Sequence, residues 1–463
     1  MKQTIAALMG ILLGIAAAFL PISGLELPAK MALGILLWAI VWWIFKILPE
    51  FVTALIMGVL FILVCKIPSK TMFAAFSESS VWLLLPSFAL SLGISKSGLL
   101  ERISLYIMKI FPGNFPGQAL GLIAVGTVIG PFIPNLSAKS AILAPLSKGI
   151  SDSMGYEPNS KAASGLFLAM LTGLRSAGPL FISASVLGYT FLGLYPEEIA
   201  SRFTMLHWFI AALPWFFLVS VANFVALMLF YKPKDPETHG KDEIDRQLEA
   251  LGPMSGAERR MLSIVLVTML LWTTEELHGI PAHLVAIAAM CVMLGLKIMS
   301  TDTFYSGMNW GPVIYVGVLF GIAPTFETLG INDWLVGICS PVFDNVSSVP
   351  WLLVVCVGII TVLLRFVIAS EFAAANIMMV FLIPLSLSLG INPWVIGFTV
   401  YAVICPWFFM YQNPVYVAAY YALDGEMIEQ KEAAKYCAVY LSICLAAVAL
   451  MVPIWVHTGV FYL

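Results

Sequence analysis

Charged residues are scarce in this chain: Asp, Glu, Lys and Arg make up 11% of its 463 residues, whereas 61% are hydrophobic. Soluble domains carry about 25% charged residues, so this deficit argues against an ordinary soluble protein. A membrane-crossing helix needs about 20 mostly apolar residues, and the chain has room for roughly ten to twelve crossings with their loops. The composition therefore predicts an all-α polytopic membrane protein.

Metal-binding and disulfide patterns are also missing from the sequence. The seven cysteines form no CxxC pair, and the five histidines form neither HExxH nor HxxxD. These absences give no support to a zinc site, a disulfide framework or any cofactor. They also count against a membrane-embedded transferase, which needs a catalytic acid, base or metal. No basic patch indicates nucleic acid, and the protein is not expected to be an enzyme.

One long hydrophilic linker, residues 232–260, interrupts the apolar runs and contains six Lys/Arg and seven Asp/Glu. It divides the chain into a first half, 1–231, and a second half, 261–463. The opening run Ile5–Leu20 is interpreted as the first helix rather than a signal peptide, because no cleavage site is obvious.

Short apolar runs followed by glycine occur in both halves, and Gly98 aligns with Gly330. Farther on, Gly155 aligns with Gly390. Paired short segments are typical of an inverted-repeat transporter with broken or re-entrant helices.

The stretch from Gly130 to Pro145 predicts a helix that stops and restarts inside the membrane. Pro131 and Pro134 remove backbone donors, and Asn135 and Ser137 are suitable N-caps for the restart. The positive end of a restarted helix favours carboxylate or phosphate groups, and Lys139 adds a formal charge one turn later. The alternative is a proline-kinked helix end near the surface, with Lys139 among lipid headgroups.

Two further segments place polar residues inside apolar runs. Arg175 and Ser176 lie in a Gly- and Pro-rich stretch, where Arg provides a planar fork for a carboxylate or sulfonate. A loop Arg at the membrane interface is the alternative. Gln412 and Asn413 interrupt an aromatic run and supply neutral polar groups, although an ordinary turn would also explain them.

In the second half, Arg365 and Glu371 are six residues apart. On a straight helix they would point about 120° apart, so an ion pair between them requires a break. Glu371 could carry a proton or be a structural acid. Asn376 follows three alanines that would let a substrate approach the backbone.

Together these segments resemble the divalent anion/sodium symporter family of dicarboxylate, citrate and sulfate carriers. The stretch from Ser370 through Asn376 to Pro384 matches the register of the family's Thr-Glu-Phe-x-Ser-Asn-Thr motif and its following proline. Residues 96–103, KSGLLERI, are similar to the family's Lys-Thr-Gly-Leu-x-x-Arg-Ile. The Ser-Asn-Thr motifs are atypical: they read Asn135-Leu136-Ser137 in the first half and Ala374-Ala375-Asn376 in the second.

The resemblance implies about eleven transmembrane helices plus two re-entrant hairpins, arranged as inverted repeats that form a scaffold and a mobile transport domain. The expected hairpins are 79–116 and 310–340, the broken-helix motif is 130–145, and its counterpart is 370–384. Family members are homodimers that work by an elevator motion, here expected in the inner (cell) membrane. The expected cargo is a small dicarboxylate, sulfonate or sulfate.

The predicted substrate-binding residues come from both halves. A sodium ion near Ser137 and Asn376 is possible, but the altered motifs weaken that expectation; Lys139 and Arg175 would suit a carrier that neutralises its anion with side chains. Exchange and cation-coupled transport both stay open, as does a more distant sodium/proton or oxyanion carrier. The full predicted set is Asn135, Ser137, Lys139, Ser140, Arg175, Ser176, Ala374, Ala375, Asn376, Gln412 and Asn413.

Overall fold

The computed structural model describes residues 2–234, 240–338 and 349–463, and throughout these ranges the chain is helical apart from loops and one isolated β-bridge. The helices of the first half are α1 (Lys2–Ala18), α2 (Leu27–Phe45), α3 (Glu50–Leu63), α4 (Ser69–Met72), α5 (Ser79–Ser97), α6 (Leu99–Ile110), α7 (Phe115–Val128), α8 (Leu136–Ser153), α9 (Lys161–Leu180), α10 (Val186–Leu194), α11 (Glu197–Ala200) and α12 (Met205–Phe230).

After α12 the described helices begin inside the linker. They are α13 (Gly240–Leu251), α14 (Gly256–Thr273), α15 (Glu275–His278), α16 (Ala282–Gly295), α17 (Thr301–Gly307), α18 (Trp310–Leu319), α19 (Ile322–Thr328), α20 (residues 331–338), α21 (Pro350–Val367), α22 (Glu371–Ser388), α23 (Pro393–Val403), α24 (Pro414–Ala422) and α25 (Gln430–His457).

Seven of the described helices are long and apolar enough to cross a membrane, and four shorter apolar helices of 10–17 residues accompany them. Large apolar side chains project outward from such helices: Leu229 of α12 is 74% exposed and Leu363 of α21 is 60% exposed. In water these faces would be costly, whereas in a bilayer they contact lipid tails. The protein is thus a multi-pass membrane protein, and the predicted fold class and approximate helix count are confirmed.

The order of elements repeats between the halves. In the first half α7, a break, α8, α9, a 3₁₀ turn and α10 follow one another; in the second half α21, a break, α22, α23, a 3₁₀ turn and α24 do the same. The glycines paired by sequence also share a left-handed conformation, with φ of 82° at Gly98 and 66° at Gly330, and 71° at Gly155 and 66° at Gly390. Left-handed glycines commonly end helices, so the paired glycines end corresponding elements.

Helices α7 and α8 enter and leave the protein on the same side. The ring of Phe115, at the start of α7, lies 6.3 Å from the ring of Tyr156, which follows the end of α8. The break between the two helices is therefore the tip of a re-entrant pair.

The same holds for α21 and α22. Helix α21 runs beside α23 in the same direction: Gly358 approaches Thr399, and Arg365 bonds the carbonyl of Ile404. Since α23 begins just after α22 ends, α21 begins on the side where α22 ends. The break at residues 368–370 is therefore the second tip.

The sequence-based prediction put hairpins at 79–116 and 310–340, and re-entrance of those two ranges stays a prediction. Helices α5 and α6 of the first range are bent by 72° at Gly98, and α5 packs along α16. In the second range a short break separates α18 from α19, and Gly330 lies between α19 and α20. Residues 339–340 lie outside the described part. A short apolar run ended by glycine is compatible with two helices bent at the glycine and with a re-entrant hairpin, so the sequence alone could not distinguish the two structures.

Glycines hold α7 close to α9. A Cβ on Gly126 would lie 2.6 Å from the backbone of Gly173, and one on Gly173 would lie 2.6 Å from the carbonyl oxygen of Ile123. Small residues allow such close backbone approach between membrane helices. The contact fixes the first tip against α9.

The linker is not simply a hydrophilic connection, because its residues 240–251 form the helix α13, which packs on α6 and α8. The side chain of Ile244 is fully buried in this contact. At the end of α13, Arg102 of α6 donates from Nε to Glu258 Oε1 at 2.6 Å and from Nη1 to the Gly252 carbonyl at 2.9 Å. Linker residues 235–239 lie outside the described part.

Candidate functional site

Each tip is followed by a helix whose N-terminus is capped by a side chain inside the protein. Asn135 accepts a hydrogen bond from the Ala138 N–H at 3.0 Å at the start of α8, as the sequence predicted. At the start of α22 it is Ser370 that accepts from the Ala373 N–H, at 3.2 Å. Helix N-termini carry partial positive charge, so both tips favour anions.

Lys139 is fully buried one turn into α8. Its Nζ donates to the carbonyl of Gly130 at 3.1 Å and to the carbonyl of Ala184 at 3.0 Å. Gly130 belongs to the first tip, and Ala184 belongs to the 3₁₀ turn between α9 and α10. The Lys139 ammonium group is thus bound to backbone carbonyls at two helix breaks, where the regular helical hydrogen bonding is interrupted.

Arg365 binds carbonyls in the second half, but it lies in the last turn of α21, before its tip, whereas Lys139 follows its tip. It is fully buried, and its Nε donates to the Ile404 carbonyl at 2.8 Å, while its terminal nitrogens donate to the carbonyls of Ile368 and Gln412. The break between Arg365 and Glu371 exists, as an ion pair would require. Among the described ion pairs, however, Glu371 pairs with a different arginine.

That partner is Arg175 of α9. Its Nη2 lies 3.6 Å from Glu371 Oε2, and both side chains are buried. Cys405, just after α23, donates from Sγ to the same Glu371 oxygen at 3.0 Å. Among the described residues, the Nη1 atom of Arg175 has no hydrogen-bond partner. A buried, unpaired donor on a cation is costly unless something occupies it, so Arg175 is the strongest candidate for binding an anion among the described residues.

A small cavity adjoins this arginine. It has room for about one water molecule. Among its lining residues are Arg175, Tyr401, Cys405 and Leu136, which come from both halves of the chain. Sequence reasoning missed Tyr401, because an aromatic residue in an apolar run is indistinguishable from a core residue. Cys405 precedes Pro406 at a visible helix break, which was the one available signal for it.

Most other predicted site residues bond to backbone. Ser140 donates to the Val415 carbonyl at 2.7 Å and so joins α8 to α24. Ser176 donates to Thr172 within its own helix at 2.8 Å. Gln412 donates to the Arg365 carbonyl at 3.1 Å, and Asn413 caps α24 by accepting from Val415 at 3.0 Å. These contacts position the broken segments around Arg175.

The remaining predicted residues lie on α8 and in the first turns of α22. Ser137 is half-buried, whereas Ala374 and Ala375 are fully buried. Asn376 donates to the Phe372 carbonyl at 2.7 Å, and its Oδ1 is buried without a partner. That oxygen could contact a cation. The described residues contain no group of three or more His, Cys, Asp or Glu side chains that could hold a metal ion.

Paired broken helices that meet at a buried arginine define a polytopic membrane protein of the secondary-transporter class. The particular family follows from the whole chain. Residues 2–457 match the family described as the sodium:sulfate symporter transmembrane region, and the chain belongs to that family. The family resemblance drawn from the motifs is thereby confirmed.

Named relatives in the family are carriers. The chain is 29% identical over 289 residues to dicarboxylate transporter 2, chloroplastic, of Spinacia oleracea, covering 58% of this chain and 50% of that one. It is 24% identical over 311 residues to the L-tartrate/succinate antiporter of Escherichia coli strain K12, covering 65% and 62%. It is 23% identical over 364 residues to the putative malate transporter YflS of Bacillus subtilis, covering 76% and 75%. The chain spans about half the length of the first of these curated relatives.

Two solved structures share the fold. The chain matches MtrF of Neisseria gonorrhoeae with a TM-score of 0.60 at 12% identity, covering 98% of this chain and 94% of that one. It matches the YdaH transporter of Alcanivorax borkumensis with a TM-score of 0.61 at 13% identity, covering 93% and 98%. At such identity the likeness concerns the fold alone. The names of the family and its relatives point to transporters and not to enzymes.

Proposed function

We propose that this protein is a secondary active transporter of small anions, with dicarboxylates as the leading class and sulfate or sulfonates as the other candidates. The observation that carries the proposal is the free Nη1 of Arg175, which is buried where elements of both halves meet. An arginine fork recognises carboxylate and sulfonate groups through paired, charge-assisted hydrogen bonds. The relatives named as dicarboxylate and tartrate/succinate carriers support the same class.

The cavity beside Arg175 is too small to hold a dicarboxylate, so the tips must separate before one binds. We propose that α7–α8 and α21–α22, together with α9, α10, α23 and α24, move as one transport domain against the remaining helices. Alternating access by such an elevator motion is supported by the repeated element order and by contacts within this group of helices: Ser140 of α8 bonds Val415 of α24, and Arg365 of α21 bonds Gln412 just before α24.

The coupling mode has two candidates. Exchange is supported by the relative named as an antiporter and by the altered Ser-Asn-Thr motifs. Cation coupling is supported by the unpartnered Oδ1 of Asn376, which is a suitable oxygen ligand in a buried place.

A homodimer in the inner membrane completes the proposal, and its support is the family resemblance. Cross-linking of the purified protein in lipid nanodiscs tests the dimer: a single cross-linked species of twice the monomer mass is expected, and monomers alone would count against it.

The function is tested with proteoliposomes that contain the purified protein and are preloaded with unlabelled succinate, sulfate or a small sulfonate. External labelled succinate should accumulate against preloaded succinate and not in protein-free vesicles. Accumulation that is independent of a sodium gradient supports exchange, whereas a strict sodium requirement supports cation coupling through Asn376. Absence of uptake for every anion would overturn the anion carrier.

A further inference from the structure

Two side chains that line the cavity beside α9 have buried polar atoms without partners among the described residues. They are Arg175, through its Nη1, and Tyr401 of α23, through its hydroxyl. Of the described side chains that line this cavity, no other has a buried nitrogen or oxygen in that state. Arg175 is 5% exposed and Tyr401 is 3% exposed. The cavity is therefore bordered by two donors that the described protein groups do not satisfy.

The position of the Tyr401 hydroxyl relative to α9 follows from Gly178. A Cβ on Gly178 would lie 3.2 Å from the Tyr401 hydroxyl oxygen, so the hydroxyl lies directly against that glycine. Gly178 follows Arg175 by three residues in α9, and residues three apart share one face of a helix. The hydroxyl and the guanidinium group thus border the same face of α9, although they come from different halves of the chain.

Ring packing alone gives no reason for a hydroxyl at position 401. A buried hydroxyl without a partner destabilises a protein relative to the same ring without it. Phenylalanine would keep the contact with Phe191, whose ring centroid lies 5.3 Å from that of Tyr401, and would avoid this cost. Ser185 and the backbone of Gly188 lie near the hydroxyl, but neither forms a hydrogen bond with it in this conformation. A ligand that enters the cavity would supply the missing partner.

We propose that Tyr401 is a substrate-binding residue: its hydroxyl donates a hydrogen bond to one oxygen of a substrate carboxylate, and Arg175 binds the other oxygen of the same group. The inference rests on the proposed function and names the pair of side chains that holds one end of the anion. A carboxylate has two acceptor oxygens, and hydrogen bonds to an ionised acceptor are stronger than those between neutral groups. Because the Tyr401 hydroxyl lies against Gly178, α9 and α23 keep both donors together when the tips separate.

Tyr401→Phe tests the inference, because it removes the hydroxyl and keeps the ring. Succinate affinity is measured by counterflow in proteoliposomes, and the unfolding midpoint of the purified protein is measured in detergent without succinate. We expect the apparent affinity to fall about tenfold, since one hydrogen bond to a charged group is lost. The midpoint should stay equal or rise, because a buried unpaired hydroxyl is removed. A lower midpoint with unchanged affinity would make the hydroxyl structural and overturn the inference.

Tyr195→Phe is the matched control. The Tyr195 hydroxyl is also buried without a partner among the described residues, and it lies against Gly397 of α23, but Tyr195 is not one of the residues that line the cavity. Succinate affinity in this variant should equal that of the wild type. An equal loss of affinity in Tyr195→Phe and Tyr401→Phe would overturn the assignment, because it would show that both hydroxyls act through the packing of α23 and not on the anion.

A double variant tests whether the two donors bind one carboxylate. In an Arg175→Gln protein, adding Tyr401→Phe should weaken succinate binding by clearly less than about tenfold, because the carboxylate is no longer fixed beside the hydroxyl. The same factor in both backgrounds would overturn the shared contact. Wild-type counterflow with unchanged affinity in Tyr401→Phe would overturn this inference alone, whereas absence of wild-type counterflow for every anion would overturn the proposed function itself.

Discussion

At the scale of single residues, the two halves solve one problem with different side chains. A helix that stops inside a membrane leaves carbonyls without partners, and lipid offers none. Lys139 bonds two carbonyls at the breaks of the first half, and Arg365 bonds three in the second. Each cation connects a tip to the neighbouring broken segment, which makes the breaks stable features of the fold.

Replacing Lys139 by Met removes the ammonium group but keeps the length of the side chain. We expect a loss of about 1–3 kcal/mol in stability, because the Ala184 carbonyl loses its donor, whereas the Gly130 carbonyl keeps the Ile133 N–H. Thermal unfolding in detergent should show a lower midpoint, and succinate affinity should fall less than in Arg175 variants. An unchanged midpoint with lost affinity would instead assign Lys139 to the anion, as the sequence suggested.

The sequence predicted which polar residues lie at the helix breaks, but it did not predict which residues they contact. Pro131 and Pro134 act locally, so the break before α8 and the Asn135 cap were predictable. Arg175 and Glu371 are 196 positions apart in the chain, and no local sequence pattern predicts their contact. From the sequence alone, Arg365 is the partner to expect for Glu371, because the two residues are only six positions apart.

At the scale of elements, glycines determine how closely α7 approaches α9. Replacing Gly173 by Ala would place a methyl group 2.6 Å from the Ile123 carbonyl oxygen. We expect a loss of about 1–3 kcal/mol from the forced separation of the helices. The control is Gly295→Ala in α16, where nothing lies within 4 Å. Equal unfolding midpoints for the two variants would contradict this packing.

The packing of the linker helix α13 on α6 is tested by comparing a buried ion pair with an exposed one. Arg102 and Glu258 are buried, whereas Lys109 and Asp245 form a pair whose side chains are 55% and 47% exposed. Arg102→Gln should cost roughly 3 kcal/mol, because it leaves the Glu258 carboxylate unpaired. Lys109→Gln should leave the thermal midpoint unchanged, since exposed pairs contribute little. A larger effect at Lys109 would show that α13 is held mainly by surface charge.

The element scale also shows where sequence reasoning fell short. Composition predicted helices, and the repeat was visible as paired glycines. The hairpin positions were not, because α5–α6 and α7–α8 both read as apolar helices separated by a glycine or proline. For α7 and α8, the contact between the rings of Phe115 and Tyr156 is what distinguishes a re-entrant pair from two helices joined by a bend.

At the scale of the whole molecule, the two halves place one broken, cation-stabilised tip each around a shared interior. Arg175 from the first half meets Glu371 from the second there, and the adjoining cavity is closed. Under the proposed function the junction opens on one side at a time, and the residues that close it are expected to contact the cargo. Arg175 is the group whose chemistry most directly decides whether the cargo is an anion.

The decisive measurement is succinate counterflow in proteoliposomes with wild type, Arg175→Gln and Arg175→Lys, and with Arg259→Gln as a surface arginine control. Wild type and Arg259→Gln should accumulate labelled succinate alike. Arg175→Gln should lose at least about tenfold in apparent affinity, because one charge-assisted contact is removed, and Arg175→Lys should fall between them, since it keeps the charge and loses the fork. Wild-type affinity in both folded Arg175 variants would contradict the account.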